Sequence, residues 1–312
     1  MTELRDRLAG LGFDSSADPS GHFGVATRTA VEGFQHRRGL RVDGVCGRQT
    51  WNTLLEAGFC LGDRLLYRRT PMMRGDDVAE LQQNLGALGF DAGRVDGIFG
   101  DATATAVSDF QRNTGLPEDG IVGSTTLFEL ARVRARERGS EVVSAVMARE
   151  QLRRAPPTLA GRHIAVGEAG GLATAVRALR RRLVLAGARV TPLHHPDDSV
   201  RAAQANTADV NAYVGLQLNA TRSGCTTWFY GNDRYESPGG RSLAELVQRE
   251  VPRALGLPDG GIRAMTVPVL RETRMPAVLV ELGPALAVVE HGAALADALV
   301  AALSRWASAD WS

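Results

Sequence analysis

Leu8-Ala-Gly-Leu-Gly-Phe-Asp14 and Leu85-Gly-Ala-Leu-Gly-Phe-Asp91 are one heptapeptide in outline, set 77 residues apart. After a single-residue change in length the correspondence continues at an offset of 76. Phe23-Gly24 then matches Phe99-Gly100, Ala30-Val31 matches Ala106-Val107, and Phe34-Gln35 matches Phe110-Gln111. Gly39-Leu40 matches Gly115-Leu116, Asp43-Gly44 matches Asp119-Gly120, and Gly47, Thr50 and Leu54 match Gly123, Thr126 and Leu130. A correspondence of this length makes the first part of the chain a tandem repeat, and a repeat has to be found before any element is assigned.

Each copy predicts short helices joined by glycine turns. Val78, Leu81, Leu85 and Leu88 keep the i, i+3, i+4 rhythm of one buried helical face, which Gly89 ends. Thr103, Ala106, Val107 and Phe110 repeat that rhythm in a second helix. Asp119-Gly120 turns the chain, and Ser124 caps a third helix with Leu127 and Leu130. The first copy lacks the leader Arg74-Gly-Asp-Asp77, so its first helix is expected to begin at the chain terminus and fray there.

The pattern Leu-xx-Leu-Gly-Phe, Asp96-Gly-Ile-Phe-Gly100, Thr-xx-Ala-Val-xx-Phe-Gln, Gly-Leu-xx-Asp-Gly-xx-Gly resembles the small three-helix peptidoglycan-binding domain. The resemblance covers residues 1–57 and 75–132 and implies recognition of muropeptide or glycan by a groove between helices. Residues 133–161 read as a charged helical linker that Pro156-Pro157 stops. Its interleaved Glu137, Glu141 and Glu150 favour a solvated helix over a basic membrane or nucleic-acid surface.

From 162 to 312 short β-rich runs alternate with amphipathic helical patterns, from His163-Ile-Ala-Val166 to a final helix over His291 to Trp306. The alternation predicts a doubly wound α/β domain, with its site at the carboxyl ends of the strands. The fold class is therefore two small three-helix domains followed by a doubly wound α/β domain.

The composition sets the outer limits. At 312 residues the chain is long enough for two or three domains. Its formal net charge of +1 removes the main electrostatic reason to expect a nucleic-acid partner. No apolar stretch approaches the length of a membrane span. Met1-Thr-Glu-Leu-Arg-Asp-Arg-Leu carries charges where a secretory signal needs an apolar run. Cys46, Cys60 and Cys225 are too few and too scattered for a disulfide framework. A cytoplasmic location is the expectation.

Landmarks in the second half resemble the zinc-dependent N-acetylmuramoyl-L-alanine amidases. They include Leu185-Ala-Gly-Ala-Arg-Val190, Arg201-xx-Gln-Ala-Asn206, Ala208 to Ala220, Ser242 to Gln248, and Val269 to Gly283. With the two repeats in front, the whole resembles the actinobacterial CwlM-type proteins. The amidase resemblance implies cleavage between the muramic acid lactyl group and the first stem-peptide residue. It also implies a zinc held by two histidines and a glutamate, with the fourth position open to a water.

The metal positions are altered in this sequence. The family's first histidine stands in Asp-Pro-Gly-His-Gly-Gly; the corresponding Val166-Gly-Glu-Ala-Gly-Gly171 puts Ala169 there. The last stands in Ser-Ile-His-x-Asn; Gly215-Leu-Gln-Leu-Asn219 puts Gln217 there. Glu168 is either the glutamate ligand or a loop carboxylate at a helix N-terminus. Glu281 holds the family's general-base position, and reads either as a retained ligand-binding acid or as an acid paired with Arg271 or Arg274.

The histidines do not supply replacements on the sequence reading. His194 and His195 are neighbours that point to opposite faces of a strand, and His163 lies at the wrong end of its strand. His22, His36 and His291 belong to the repeats and the last helix. Cys225 reads as core packing. No metal is expected, so no cofactor is, with zinc kept for the reading in which the chain is an active amidase with a non-standard metal site. The leading expectation is a catalytically inactive amidase fold that binds peptidoglycan fragments or precursors and regulates their synthesis. The CwlM-type resemblance implies a protein partner as well, the UDP-N-acetylglucosamine enolpyruvyl transferase of precursor synthesis. Arg263, Arg271 and Arg274 are candidates for stem-peptide carboxylates, with Asn219 and Glu281 in the same pocket; the competing reading pairs these arginines internally or leaves them to solvent.

Overall fold

The structure, a computed structural model, describes residues 1–134, 143–220 and 222–311 and divides into two compact units, Met1–Met147 and Ala148–Ser312. In the first unit, α1 (Thr2–Gly10), α2 (Val25–Arg37) and α3 (Arg48–Glu56) form the first repeat. The second repeat contains α4 (Asp76–Ala87), α5 (Asp101–Thr114) and α6 (Ser124–Arg134). Leu4, Leu8, Val31, Phe34 and Leu54 close the first core. Leu81, Leu85, Val107, Phe110 and Leu130 close the second. Leu66 and Met73, from the stretch between the repeats, are buried in that second core as well.

The glutamine of each Phe-Gln pair does more than mark the fold. Buried Gln111 donates through Nε2 to Asp119 Oδ1 (2.8 Å), Ile121 O (3.1 Å) and Thr126 Oγ1 (3.2 Å), and its Oε1 accepts from Gly120 N (2.9 Å). Gln35 makes the same set with Asp43, Val45, Thr50 and Gly44. So does Gln82, one helix earlier, with Asp96, Ile98, Thr103 and Gly97. The second repeat thus contains the helix, Asp-Gly turn, helix unit twice over. Each turn glycine has φ near +70°, a conformation that costs other residues free energy, and the buried amide fastens it there. Gln111→Leu strands these buried partners and is expected to lower the stability of the second repeat by about 2–3 kcal/mol, read by urea unfolding.

Helix α7 (Val143–Arg154) ends ahead of Pro156-Pro157. Residues 135–142 of the predicted linker lie outside the described residues. At the other end of α7, Leu152 packs into the core of the second unit, so that end is anchored rather than solvated.

The second unit continues through β1 (His163–Glu168), α8 (Ala173–Leu185), β2 (Arg189–His194), α9 (Asp198–Thr207), β3 (Ala212–Leu218), β4 (Gly224–Asn232) and β5 (Tyr235–Glu236). It ends with α10 (Pro238–Leu255), β6 (Asp259–Met265), α11 (Pro268–Arg271), β7 (Ala277–Gly283), α12 (Ala285–Glu290) and α13 (Gly292–Ala307). The sheet order is β2-β1-β3-β7-β4-β5, with β6 also on β4. Strands β2, β1, β3 and β7 are parallel, whereas β4 runs antiparallel to β7 and carries β6 parallel to itself.

The sheet is therefore mixed, and the short β3–β4 connection is the reason. A parallel neighbour needs a long crossover, whereas the few residues after Leu218 step over the end of β7 and can only enter β4 in reverse. Gly283 lies beneath that step. A Cβ there would stand 2.1 Å from Arg222 O.

One sheet face carries Ile164, Val166, Val214, Leu216, Val278 and Val280 into the core beneath α8, α10 and α13. By strand alternation the opposite face carries Gly167, Tyr213, Gly215, Gln217, Leu279 and Glu281. Tyr213 lies across the glycines: a Cβ on Gly167 would meet its hydroxyl at 2.1 Å. Burial pushes that phenol up to about 12 despite the Arg201 guanidinium of α9 beside it. On this face α9 packs against α11 and β2. The face is left uncovered at the carboxyl ends of β1, β3 and β7, where Gln217 and Glu281 are half-buried and Ala169 is exposed.

Candidate functional site

A single row of side chains crosses those strand ends. Gln217 on β3 is the register partner of Glu281 on β7, and Glu281 is the partner of Thr226 on β4. β1 ends at Glu168, the register partner of Leu216, so Ala169 opens the loop one residue past β1, at the end of the sheet where Gln217 stands on β3. The two positions where the resemblance places histidines thus lie at the same end of the neighbouring strands β1 and β3, one just past its strand and one on it, with the retained glutamate next in line on β7. Directly opposed side chains on neighbouring strands have Cβ atoms about 5 Å apart, near enough for one ion to reach both.

Asn219 turns the chain out of β3 and fixes the glutamate. Its main-chain N–H donates to Leu282 O (2.7 Å), its Nδ2 donates to Glu281 Oε1 (2.8 Å), and its Oδ1 accepts from Arg222 N (3.0 Å). Asn219→Asp puts a second carboxylate against Glu281. It is expected to cost about 1–3 kcal/mol, checked by chemical unfolding, with Asn219→Ser milder.

Glu168 is on the other side of the sheet. Its carboxylate is buried, and Oε2 accepts from Gly170 N (3.1 Å) and Leu172 N (2.8 Å) ahead of α8, where the positive end of the helix favours it. Its Oε1 lies 2.6 Å from Nδ1 of the exposed His194. Register pairs Glu168 with Leu216, so it points away from the face that bears Gln217 and Glu281.

The remaining histidines take local partners. His163 opens β1 at the far end of the sheet, with Nε2 2.7 Å from Thr191 Oγ1 and Nδ1 2.7 Å from an Arg189 guanidinium nitrogen. His195 Nδ1 accepts from Asp197 N. Among the described residues, no three His, Cys, Asp or Glu side chains converge in a group able to hold a metal ion. The row itself offers a methyl, a neutral amide and one carboxylate, a donor set that does not fit a catalytic zinc.

The arginines lie outside this row, and Arg274 precedes β7 at the end of that strand away from Glu281. Arg263 on β6 is exposed, its Cζ 5.9 Å from the ring of Trp228, two residues along β4 from Thr226. Arg271 ends α11 and is half-buried. Arg274 is exposed just beyond, its main-chain N–H held by Asn206 Oδ1 at 2.9 Å. Cys225 is fully buried on the core face, and burial pushes its thiol up to about 12. Of the three free thiols it is expected to stay unmodified by a thiol reagent at neutral pH until the protein unfolds, whereas exposed Cys60 reacts at once, read by mass spectrometry.

Two helical repeats and an α/β domain with this strand-end row define a protein of peptidoglycan-binding and amidase architecture. The family of the putative peptidoglycan binding domain matches residues 1–54 and 74–130, and that of N-acetylmuramoyl-L-alanine amidase matches residues 166–286. The chain belongs to the CwlM family: it is 34% identical over 323 residues to the N-acetylmuramoyl-L-alanine amidase CwlM of Mycobacterium tuberculosis, covering 91% of this chain and 79% of that protein. It is also 32% identical over 148 residues to the amidase CwlL of Bacillus licheniformis, covering 41% of each. Among solved structures it is similar to the amidase Ami1 of Mycobacterium smegmatis at 17% identity, covering 49% of this chain and all of that one with a TM-score of 0.42.

Proposed function

We propose that this chain binds peptidoglycan fragments or precursors without cleaving them, and that it acts in the cytoplasm as a regulator of peptidoglycan synthesis. The observation that carries this reading is the row Ala169, Gln217, Glu281. It keeps the carboxylate at the family's general-base position while lacking the imidazoles that would acidify a water. A general base beside an unactivated water accelerates amide hydrolysis little.

Binding does not need the metal. Asn219 and Glu281 present an amide and a carboxylate to the amide groups of a stem peptide, and Arg263, Arg271 and Arg274 offer guanidinium forks to its carboxylates. An active amidase with a non-standard metal site would need Glu168 and Glu281 to share one ion. Their placement on opposite faces of the sheet argues against it. As protein partner we propose the UDP-N-acetylglucosamine enolpyruvyl transferase, on the strength of the CwlM-type resemblance.

Calorimetric titration of the full chain with a muropeptide tests the ligand assignment. Arg271→Ala is expected to weaken binding about tenfold, the loss of one charged hydrogen-bonding partner. Unchanged affinity rejects Arg271 as a ligand group. Co-purification from the native host with and without the transferase tests the partner.

A further inference from the structure

The second repeat holds a stretch of its own chain in a groove. Leu66 and Val122 exchange main-chain hydrogen bonds (3.3 and 2.8 Å), and Phe99 N donates to Met73 O (2.9 Å). Leu66 and Met73 are buried there with Val78, Leu81, Phe99 and Val122. Two ion pairs fasten the segment from outside: Arg64 with buried Asp77 (2.7 Å), and Arg68 with Asp101.

Position for position, the first repeat has the same groove with its floor open. By the repeat offsets, Met1, Leu4, Phe23, Cys46 and Trp51 answer to Val78, Leu81, Phe99, Val122 and Leu127. With Gly44 and Val45 they line a pocket of about 440 Å³. Phe99 is fully buried, whereas Phe23 is 43% exposed. No hydrogen bond among the described residues engages the main chain of Cys46, whose counterpart Val122 uses both its N–H and its C=O on Leu66. At the position of Asp101 stands Val25, 82% exposed, so the carboxylate that would receive an arginine is replaced by an apolar side chain.

We propose that this pocket is the docking site for an extended, apolar segment of a partner protein. The segment seats a leucine-like side chain where Leu66 sits in the second repeat and pairs its main chain with Cys46, adding a strand as extended peptides do at open edges. Two residues further on, it carries an apolar side chain against Val25. A second copy of this chain is the poorer occupant, because its Arg68 would be laid on Val25 without a counter-ion. The aliphatic and aromatic lining likewise favours an apolar peptide over a hydroxyl-rich glycan.

The test uses the isotope-labelled full chain and two synthetic peptides, one with the sequence of residues 61–74 and one with Arg68→Leu. The Trp51 indole and Cys46 amide signals report occupancy. The Arg68→Leu peptide is expected to move both signals and to bind about tenfold more tightly than the unaltered one. Val25→Asp, a change at an exposed position, is expected to reverse that order. Silence of both signals at millimolar peptide overturns the proposal. So does an order of affinities indifferent to Val25, a response at Val122 in place of Cys46, or movement of Trp51 by a muropeptide instead of the peptides.

Discussion

The Ala169→His/Gln217→His variant is expected to take up one equivalent of zinc at concentrations where the parent chain retains none after dialysis. The two positions lie at the carboxyl ends of the neighbouring strands β1 and β3, Ala169 one residue past its strand, and Glu281 stands opposite Gln217 on the next strand. Two imidazoles and a carboxylate on one face make the three-ligand set that a tetrahedral zinc needs. Glu281 has to exchange the Asn219 amide for the ion, so adding Asn219→Ala to the double variant is expected to preserve uptake. Inductively coupled plasma mass spectrometry on the purified variants reads the result. A double variant as metal-free as the parent would mean that the row is not the vestige of the amidase metal site.

Trp306→Ala is expected to lower the stability of the second unit by about 3–5 kcal/mol, the usual cost of deleting a fully buried indole. Trp306 is 0% exposed in the core beneath the sheet, its Nε1 donates to Gly239 O at 3.1 Å, and the buried Arg162 guanidinium lies 4.8 Å from its ring centroid. Arg162 also donates to Ala307 O and Pro156 O, tying the start of β1 and the chain beyond α7 to the last helix. Trp306→Phe keeps most of the apolar contact and loses the hydrogen bond, for about 1 kcal/mol. Urea unfolding of the full chain followed by hydrogen exchange in the second unit separates the two. A loss below about 1 kcal/mol for the alanine variant would mean that this indole does not close the core.

Much of this fold could be read from residues alone. The repeat was legible because glycine turns and apolar faces recur at a constant offset, and α13 (Gly292–Ala307) falls within a residue or so of the helix expected over His291 to Trp306. Strand direction was not legible. Alternating apolar patterns mark β4 and β6 as strands but carry no sign of which way they run, and the antiparallel entry of β4 follows from a loop length across β7. The three glutamine networks were hidden for a similar reason. A Phe-Gln or Leu-Gln pair advertises its apolar half, while the amide's partners lie 8 to 21 residues away. Within the site, the Glu281–Asn219 bond joins residues the sequence had already grouped. The face taken by Glu168 was not legible, since a carboxylate at the junction of a strand and a glycine loop can serve either side of the sheet until the register of β1 on β3 is fixed.

Recognition without hydrolysis is read in a single experiment. The full chain is incubated with a defined muropeptide in the presence of zinc, and released stem peptide is quantified by mass spectrometry beside a calorimetric titration of the same ligand. Saturable binding is expected, with no peptide released above the protein-free control and no effect of chelator on the affinity. Zinc-dependent, chelator-sensitive release of stem peptide from the muramic acid would contradict it.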